Sequence, residues 1–230
     1  MVDPNRALFE SVLDLLRPLL GELVFVGGCA TGLLVSDPAS GGIRPTKDVD
    51  AIVDVTSYTK YAALAERLRA LGLAEDSTEG APLCRWRYQE LIIDVMPIDE
   101  DILGFSNRWY PQAIASAERR SIGGIDFRLV TPVYFVATKL EAFHGRGTDD
   151  VAMSHDLEDI ITLVDGRPEL IAEIAAAEPA VCRYIASEVQ ALLARQDLVD
   201  ALSGFLLPDA GSQARRSKLV ERLQEIASVA

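Results

Sequence analysis

Asp48 and Asp50 stand one residue apart in RPTKDVDAIV (residues 44–53), at the start of an apolar stretch with strand character. Side chains alternate across a strand, so both carboxylates fall on one face and crowd a small volume. A third acid, Asp94, lies inside LIIDVMP, flanked by Ile92, Ile93, Val95 and Met96. An ionised carboxylate in so apolar a strand is costly unless it is paired or metal-bound. With the two strands side by side, three carboxylates converge, and Mg²⁺, a hard cation that takes oxygen ligands, relieves their repulsion. Two such ions about 3.5 to 4 Å apart activate an attacking oxygen and steady a leaving pyrophosphate, which is the chemistry of phosphoryl and nucleotidyl transfer.

Gly27 and Gly28 supply the complementary feature. They end the short apolar run ELVFV (residues 22–26) and precede CATGLLV, which reads as a helix. Without Cβ atoms, that backbone can approach a triphosphate closely and point amides at it. A glycine pair alone says little. The order of a glycine turn, then DxD, then a lone strand aspartate says much more.

The elements that must position these groups follow from periodicity and punctuation. Asp3-Pro4 predicts a helix start with Asp3 as N-cap, and Leu8, Val12, Leu15, Leu16 and Leu19 extend it at helical spacing to about Leu20. Residues 36–47 read as a loop, DVDAIVDV as a strand, and residues 57–71 as a helix. LCRWRYQ and LIIDVMPI predict antiparallel strands joined near Gln89 and Glu90, and ERRSI with IDFRLV a second hairpin about Gly123-Gly124. From Thr131-Pro132 the chain reads as helical over about 132–144, 154–164, 168–177, 179–195 and 212–228. These elements divide the chain into residues 1–130, an α/β domain, and residues 131–230, a helical C-terminal domain.

Composition excludes several classes. With 49% hydrophobic and 25% charged residues the chain is of globular type, and no apolar run approaches the roughly 20 residues needed to span a bilayer, which predicts a soluble, cytoplasmic protein without a membrane partner. Cys29, Cys84 and Cys182 are odd in number and widely spaced, so they read as core residues. The net charge of −13 divides into −7 over residues 1–150 and −6 over 151–230, so neither part is a basic nucleic-acid clamp.

Further polar residues carry alternatives. Lys139, on PVYFVATKLEAF, reads as a phosphate contact or a solvated lysine, and Arg146, in a GRG turn, as an anion contact or an ordinary loop cation. Asp156 and Asp159 share one helical face after Ser154 as N-cap, fit either for function or as a cap and a partner for Arg146. His144 and His155 suit no helical zinc pair. Alternation puts Trp86 opposite Arg85 and Arg87, which makes it a core residue, and Arg215, Arg216, Lys218 and Arg222 read as a solvated face.

FVGGCATGL, RPTKDVDAIV, LIIDVMP, KLEAFHGRG and SHDLEDI, between about residue 24 and residue 164, resemble the nucleotidyltransferase-fold proteins related to DNA polymerase beta, and within them the AbiEii and MenT type nucleotidyltransferase toxins. The resemblance implies an α+β nucleotidyltransferase fold: a small mixed or antiparallel sheet flanked by helices, followed by a helical C-terminal part. It implies that Gly27 and Gly28 bind nucleotide phosphates, that Asp48, Asp50 and Asp94 are catalytic and carry divalent metal, and that Lys139 meets the triphosphate. Asp156 and Asp159 match its helical DLxDI segment. A Mg²⁺-dependent enzyme follows, moving NMP from an NTP to an acceptor hydroxyl, with the 3′ end of tRNA as acceptor and a cognate antitoxin as partner. The acidic surface keeps one alternative open, nucleotidylation of a protein or of a small molecule such as an antibiotic; a non-catalytic nucleotide-binding module that has kept the fold stands as a different class.

Overall fold

The computed structural model describes residues 3–146 and 151–229. The chain forms two compact units: one comprises Pro4–Ala30 and Pro45–Thr131, the other Asp3, Thr31–Arg44 and the residues from Pro132 onward.

The first unit is built on a seven-stranded mixed sheet with strand order β3-β4-β5-β2-β1-β7-β6. Its strands are β1 (Leu23–Val26), β2 (Asp48–Val53), β3 (Ala74–Glu75), β4 (Arg85–Tyr88), β5 (Leu91–Pro97), β6 (Glu118–Ile122) and β7 (Ile125–Leu129). The central pairs are mixed: β2 runs antiparallel to β1 and parallel to β5, and β1 runs parallel to β7. All four residues of β1 are buried, as a central strand requires. Both predicted hairpins form, with Gln89 at φ 53° turning β4 into β5, and Gly123 and Gly124 at φ 58° and 79° turning β6 into β7.

Helix α1 (Arg6–Leu15) covers this sheet through Phe9, whose ring stands edge-on to Phe25 at 5.0 Å and to Phe127 at 5.2 Å. Burial of one such ring stabilises by about 1.5–3 kcal/mol, and the edge-to-face geometry adds to it. The helix departs from expectation at both ends. Asn5, not Asp3, is its N-cap residue, and its buried side chain accepts instead from the amide of Thr46 at 2.9 Å. The α-helix ends at Leu15, and Arg17–Leu19 continue as a 3₁₀ turn, because Pro18 lacks the amide and crowds the preceding turn. Helix α2 (Gly28–Leu34) follows β1, and α3 (Tyr58–Ala70) is capped by Ser57 as its sequence dictates. Two short helices escaped the periodicity, α4 (Glu100–Leu103) and α5 (Tyr110–Ala115). Each is too short to show an amphipathic repeat.

The second unit is helical: α6 (Pro132–Arg146), α7 (His155–Gly166), α8 (Leu170–Ala175), α9 (Pro179–Leu193), α10 (Gln196–Ala201), α11 (Ala210–Ala214) and α12 (Arg216–Ala227). Helix α6 packs against α7, α8 and α9, and α12 packs against the same three helices. Helix α10 was not expected. The helix expected over 212–228 breaks at Arg215, which ties its guanidinium to both carboxylate oxygens of Asp165 at 2.9 Å and to Asp37 at 3.0 Å. Arg222 is 6% exposed and donates to the carbonyls of Val164 and Asp165 in the last turn of α7. Arg216 donates to the carbonyl of Val199 at 3.0 Å. The basic residues of this segment are therefore not a solvated face: three of the four arginine and lysine side chains hold carbonyl or carboxylate oxygens. The GRG turn is also corrected, since Gly145 and Arg146 continue α6; Gly147 lies outside the described residues. Among the described residues no helix is long and apolar enough to cross a membrane.

Candidate active site

The register across four adjacent strands builds the site. Val26 of β1 pairs with Asp50 of β2, Asp50 with Asp94 of β5, and Asp94 with Arg85 of β4. Residues paired across a ladder share a face, so Asp50, Asp94 and Arg85 form one row, and Asp48 lies two residues along β2 on the same face. The strand containing Asp94 does lie beside the strand of the DxD pair. Asp94 is 6% exposed, whereas Asp48 and Asp50 are half-buried.

The cation found among these carboxylates is an arginine. Arg85 Nε donates to Asp94 Oδ1 at 2.9 Å, and its Nη2 donates to Asp94 Oδ2 at 2.8 Å and to Asp48 Oδ2 at 3.0 Å. The hydrogen bond to Asp94 outweighs partial desolvation and raises the guanidinium pKa further above its ordinary range, with the charges of Asp94 and Asp48 adding to the effect. Asp48 is steadied again by the Thr46 hydroxyl, which donates to its Oδ1 at 2.7 Å. Neighbouring Cys84 is buried, and burial followed by the charges of Asp94 and Asp50 pushes its thiol up to about 12. At neutral pH it is a protonated core residue and no nucleophile. Cys29 and Cys182 are buried as well.

Asp50 turns toward the glycine bend. Gly27 has φ +70°, and a Cβ placed on it would lie 1.8 Å from Asp50 Oδ2. The residue is glycine for two reasons, a left-handed backbone and the carboxylate packed against it. Gly27→Ala is expected to cost about 1–3 kcal/mol in backbone strain and to displace Asp50 in addition. Gly123→Ala is the control, because φ there is +58° with nothing within 4 Å of the added carbon. A thermal melt of the two variants separates strain from displacement, and the account requires Gly27→Ala to be the less stable. Gly28, the first residue of α2, is buried beside this bend.

Asp48 and Asp94 thus converge on one cationic group from all-oxygen donors, the chemistry that suits Mg²⁺. Among the described residues no three His, Cys, Asp or Glu side chains stand as a ready metal-binding group. The donor set fits a divalent ion by its chemistry, with Arg85 lying where two of these carboxylates meet.

The remaining predicted residues form a separate network within the helical unit. Lys139 is 9% exposed rather than solvated, and its Nζ lies 3.0 Å from Asp156 Oδ1 and 2.7 Å from Asp159 Oδ2. Arg146 Nη1 donates to Asp156 Oδ2 at 2.7 Å, and Arg44 pairs with Glu158 and Asp159 at 3.3 Å. Asp156 and Asp159 are therefore buried and paired, joining α6 to α7. Ser154 caps α7 by accepting from the amide of Leu157. His144 meets Glu188 and His155 meets Glu158, each as a polar pair. Trp86 is 1% exposed, in the core as alternation required. Arg85 and Arg44 are the residues that sequence reasoning missed; only strand register and the fold of loop 36–47 bring them to their carboxylates.

No family model and no curated protein matches the chain. Among solved structures, a candidate nucleotidyltransferase from H. pylori superposes with a TM-score of 0.52 at 15% identity, over 99% of this chain and 96% of that one. An antigenic nucleotidyltransferase-like protein from Paracoccidioides brasiliensis gives 0.47 at 19% identity, over 94% of this chain and 91% of that one. The first likeness shows the fold: a mixed sheet flanked by helices, as in nucleotidyltransferase-like proteins.

Proposed function

We propose that this protein transfers a nucleoside monophosphate from an NTP to an acceptor hydroxyl, releasing pyrophosphate. One arrangement carries the reading: Asp48, Asp50 and Asp94 on neighbouring strands and one face of the sheet, beside a left-handed Gly27, within this fold. Asp48, Asp50 and Asp94 are assigned to Mg²⁺, two ions in the full reading; when bound, Mg²⁺ neutralises triphosphate charge and favours ionisation of the acceptor hydroxyl. Gly27 and Gly28 let phosphates lie against the backbone without a side chain in the way. Asp50, packed on Gly27, ties the position of the acids to that of the phosphates. Within the helical unit we assign a scaffold role to Lys139, whose charge is already balanced by Asp156 and Asp159.

The family resemblance favours the 3′ end of tRNA as acceptor, with an antitoxin protein as partner. The net charge of −13 favours a second reading, in which a protein hydroxyl or a small molecule accepts, because the mean field repels RNA. Labelled NTPs and Mg²⁺ offered in parallel to total RNA, total protein and a small-molecule pool separate the two. Label is expected in one pool and absent with the Asp48→Ala, Asp50→Ala double variant. Label in no pool, or label that survives the double variant, contradicts the proposal.

A further inference from the structure

Arg85 lies where the proposed chemistry places another cation. Its Nη2 is within 3.0 Å of Asp48 Oδ2 and 2.8 Å of Asp94 Oδ2, so one nitrogen touches both carboxylates, while Nε holds the second oxygen of Asp94. The contact is built into the sheet, since Arg85 and Asp94 are direct register partners on antiparallel strands. Asp94 is 6% exposed and the Arg85 side chain 21% exposed, so the pair is only partly screened by water. An acid so buried needs a counter-charge at all times, including whenever no metal is bound.

We propose that Arg85 is a resident counter-cation that competes with divalent metal for Asp48 and Asp94. A carboxylate oxygen that accepts from a guanidinium directs its lone pairs at that donor and is poorly available to an ion. Two positive groups also repel each other at such short range. Metal entry therefore requires Arg85 to withdraw, and metal loss lets it return, which keeps the buried acid paired in both states. The displaced guanidinium, with donors arranged in a planar fork, is matched to phosphate oxygens and stays anchored on β4. This rests on the proposed assignment of Asp48 and Asp94 to metal. It adds a residue that sets how tightly metal is held before nucleotide arrives.

The opposite role makes the opposite prediction. An arginine that merely braced the ligands would, on removal, weaken metal binding. A competitor would, on removal, strengthen it. Mn²⁺ affinity of the nucleotide-free protein, read from the electron paramagnetic resonance signal of free Mn²⁺, decides between them without any measurement of activity. Arg85→Met is expected to bind Mn²⁺ about 10- to 100-fold more tightly than the unaltered protein, the scale set by losing charge-assisted hydrogen bonds. Arg85→Lys, which keeps a positive charge but cannot span both acids, is expected to fall between them and serves where Arg85→Met does not fold. Unchanged or weaker Mn²⁺ binding in the folded variants overturns the proposal. The function reading fails separately: tighter Mn²⁺ binding in Arg85→Met with no nucleotidyl transfer by the unaltered protein leaves the competition standing and removes the enzyme.

Discussion

Asp94→Asn is expected to lower nucleotidyl transfer by more than ~10²-fold while leaving the protein folded. Loss of partners that only orient metal ligands costs about 10- to 100-fold, and loss of a ligand costs more. Asparagine keeps the size of the side chain and one oxygen to accept from Arg85, so the row across β4, β5 and β2 keeps its packing. Asp50→Asn is expected to act as strongly, because Asp50 is the register partner of Asp94 and lies against Gly27. Transfer rates at saturating NTP, with circular dichroism of the same samples, provide the check. Full activity in either variant would remove that residue from the chemistry.

The second large effect concerns stability. Lys139→Ala deletes the cation that lies against both Asp156 and Asp159, two buried carboxylates. Breaking a buried pair by removing one partner costs about 3–5 kcal/mol, because a charge is left without its counter-ion. Arg146 on Asp156 and Arg44 on Asp159 soften the loss, so about 3 kcal/mol is expected. That corresponds to a fall of about 6–12 °C in melting temperature for a chain of this size. Arg146→Ala, at a side chain 72% exposed, is expected to cost under ~1 kcal/mol. A Lys139→Ala protein as stable as its parent would show that the network is not structural.

Much of the site was legible because it obeys short-range rules. The two-residue period of a strand put Asp48 and Asp50 on one face and Trp86 in the core, and both hold in three dimensions. A glycine pair between strand and helix announced a bend, and Gly27 at φ +70° is that bend. Arg85 was named in the sequence as the residue beside Trp86. Nothing local reveals that it faces Asp94, which depends on the register of β4 against β5. The same holds for Arg215 and Arg222: helical periodicity marks them as charged positions, and only the packing of the last helices delivers them to Asp165 and the end of α7. Lys139 shows the reverse. Its neighbours in sequence left a solvated lysine open, whereas α7 packs against α6 and Lys139 is enclosed between two acids.

The most direct measurement uses one NTP carrying its label in turn on the α and the γ phosphate. If the carboxylate row of β2 and β5 performs nucleotidyl transfer, α-label becomes covalently attached to the acceptor and γ-label leaves with pyrophosphate, and both signals vanish in Asp94→Asn. Attachment of the γ-label instead, or α-label transfer untouched by Asp94→Asn, would mean that this end of the sheet does something else.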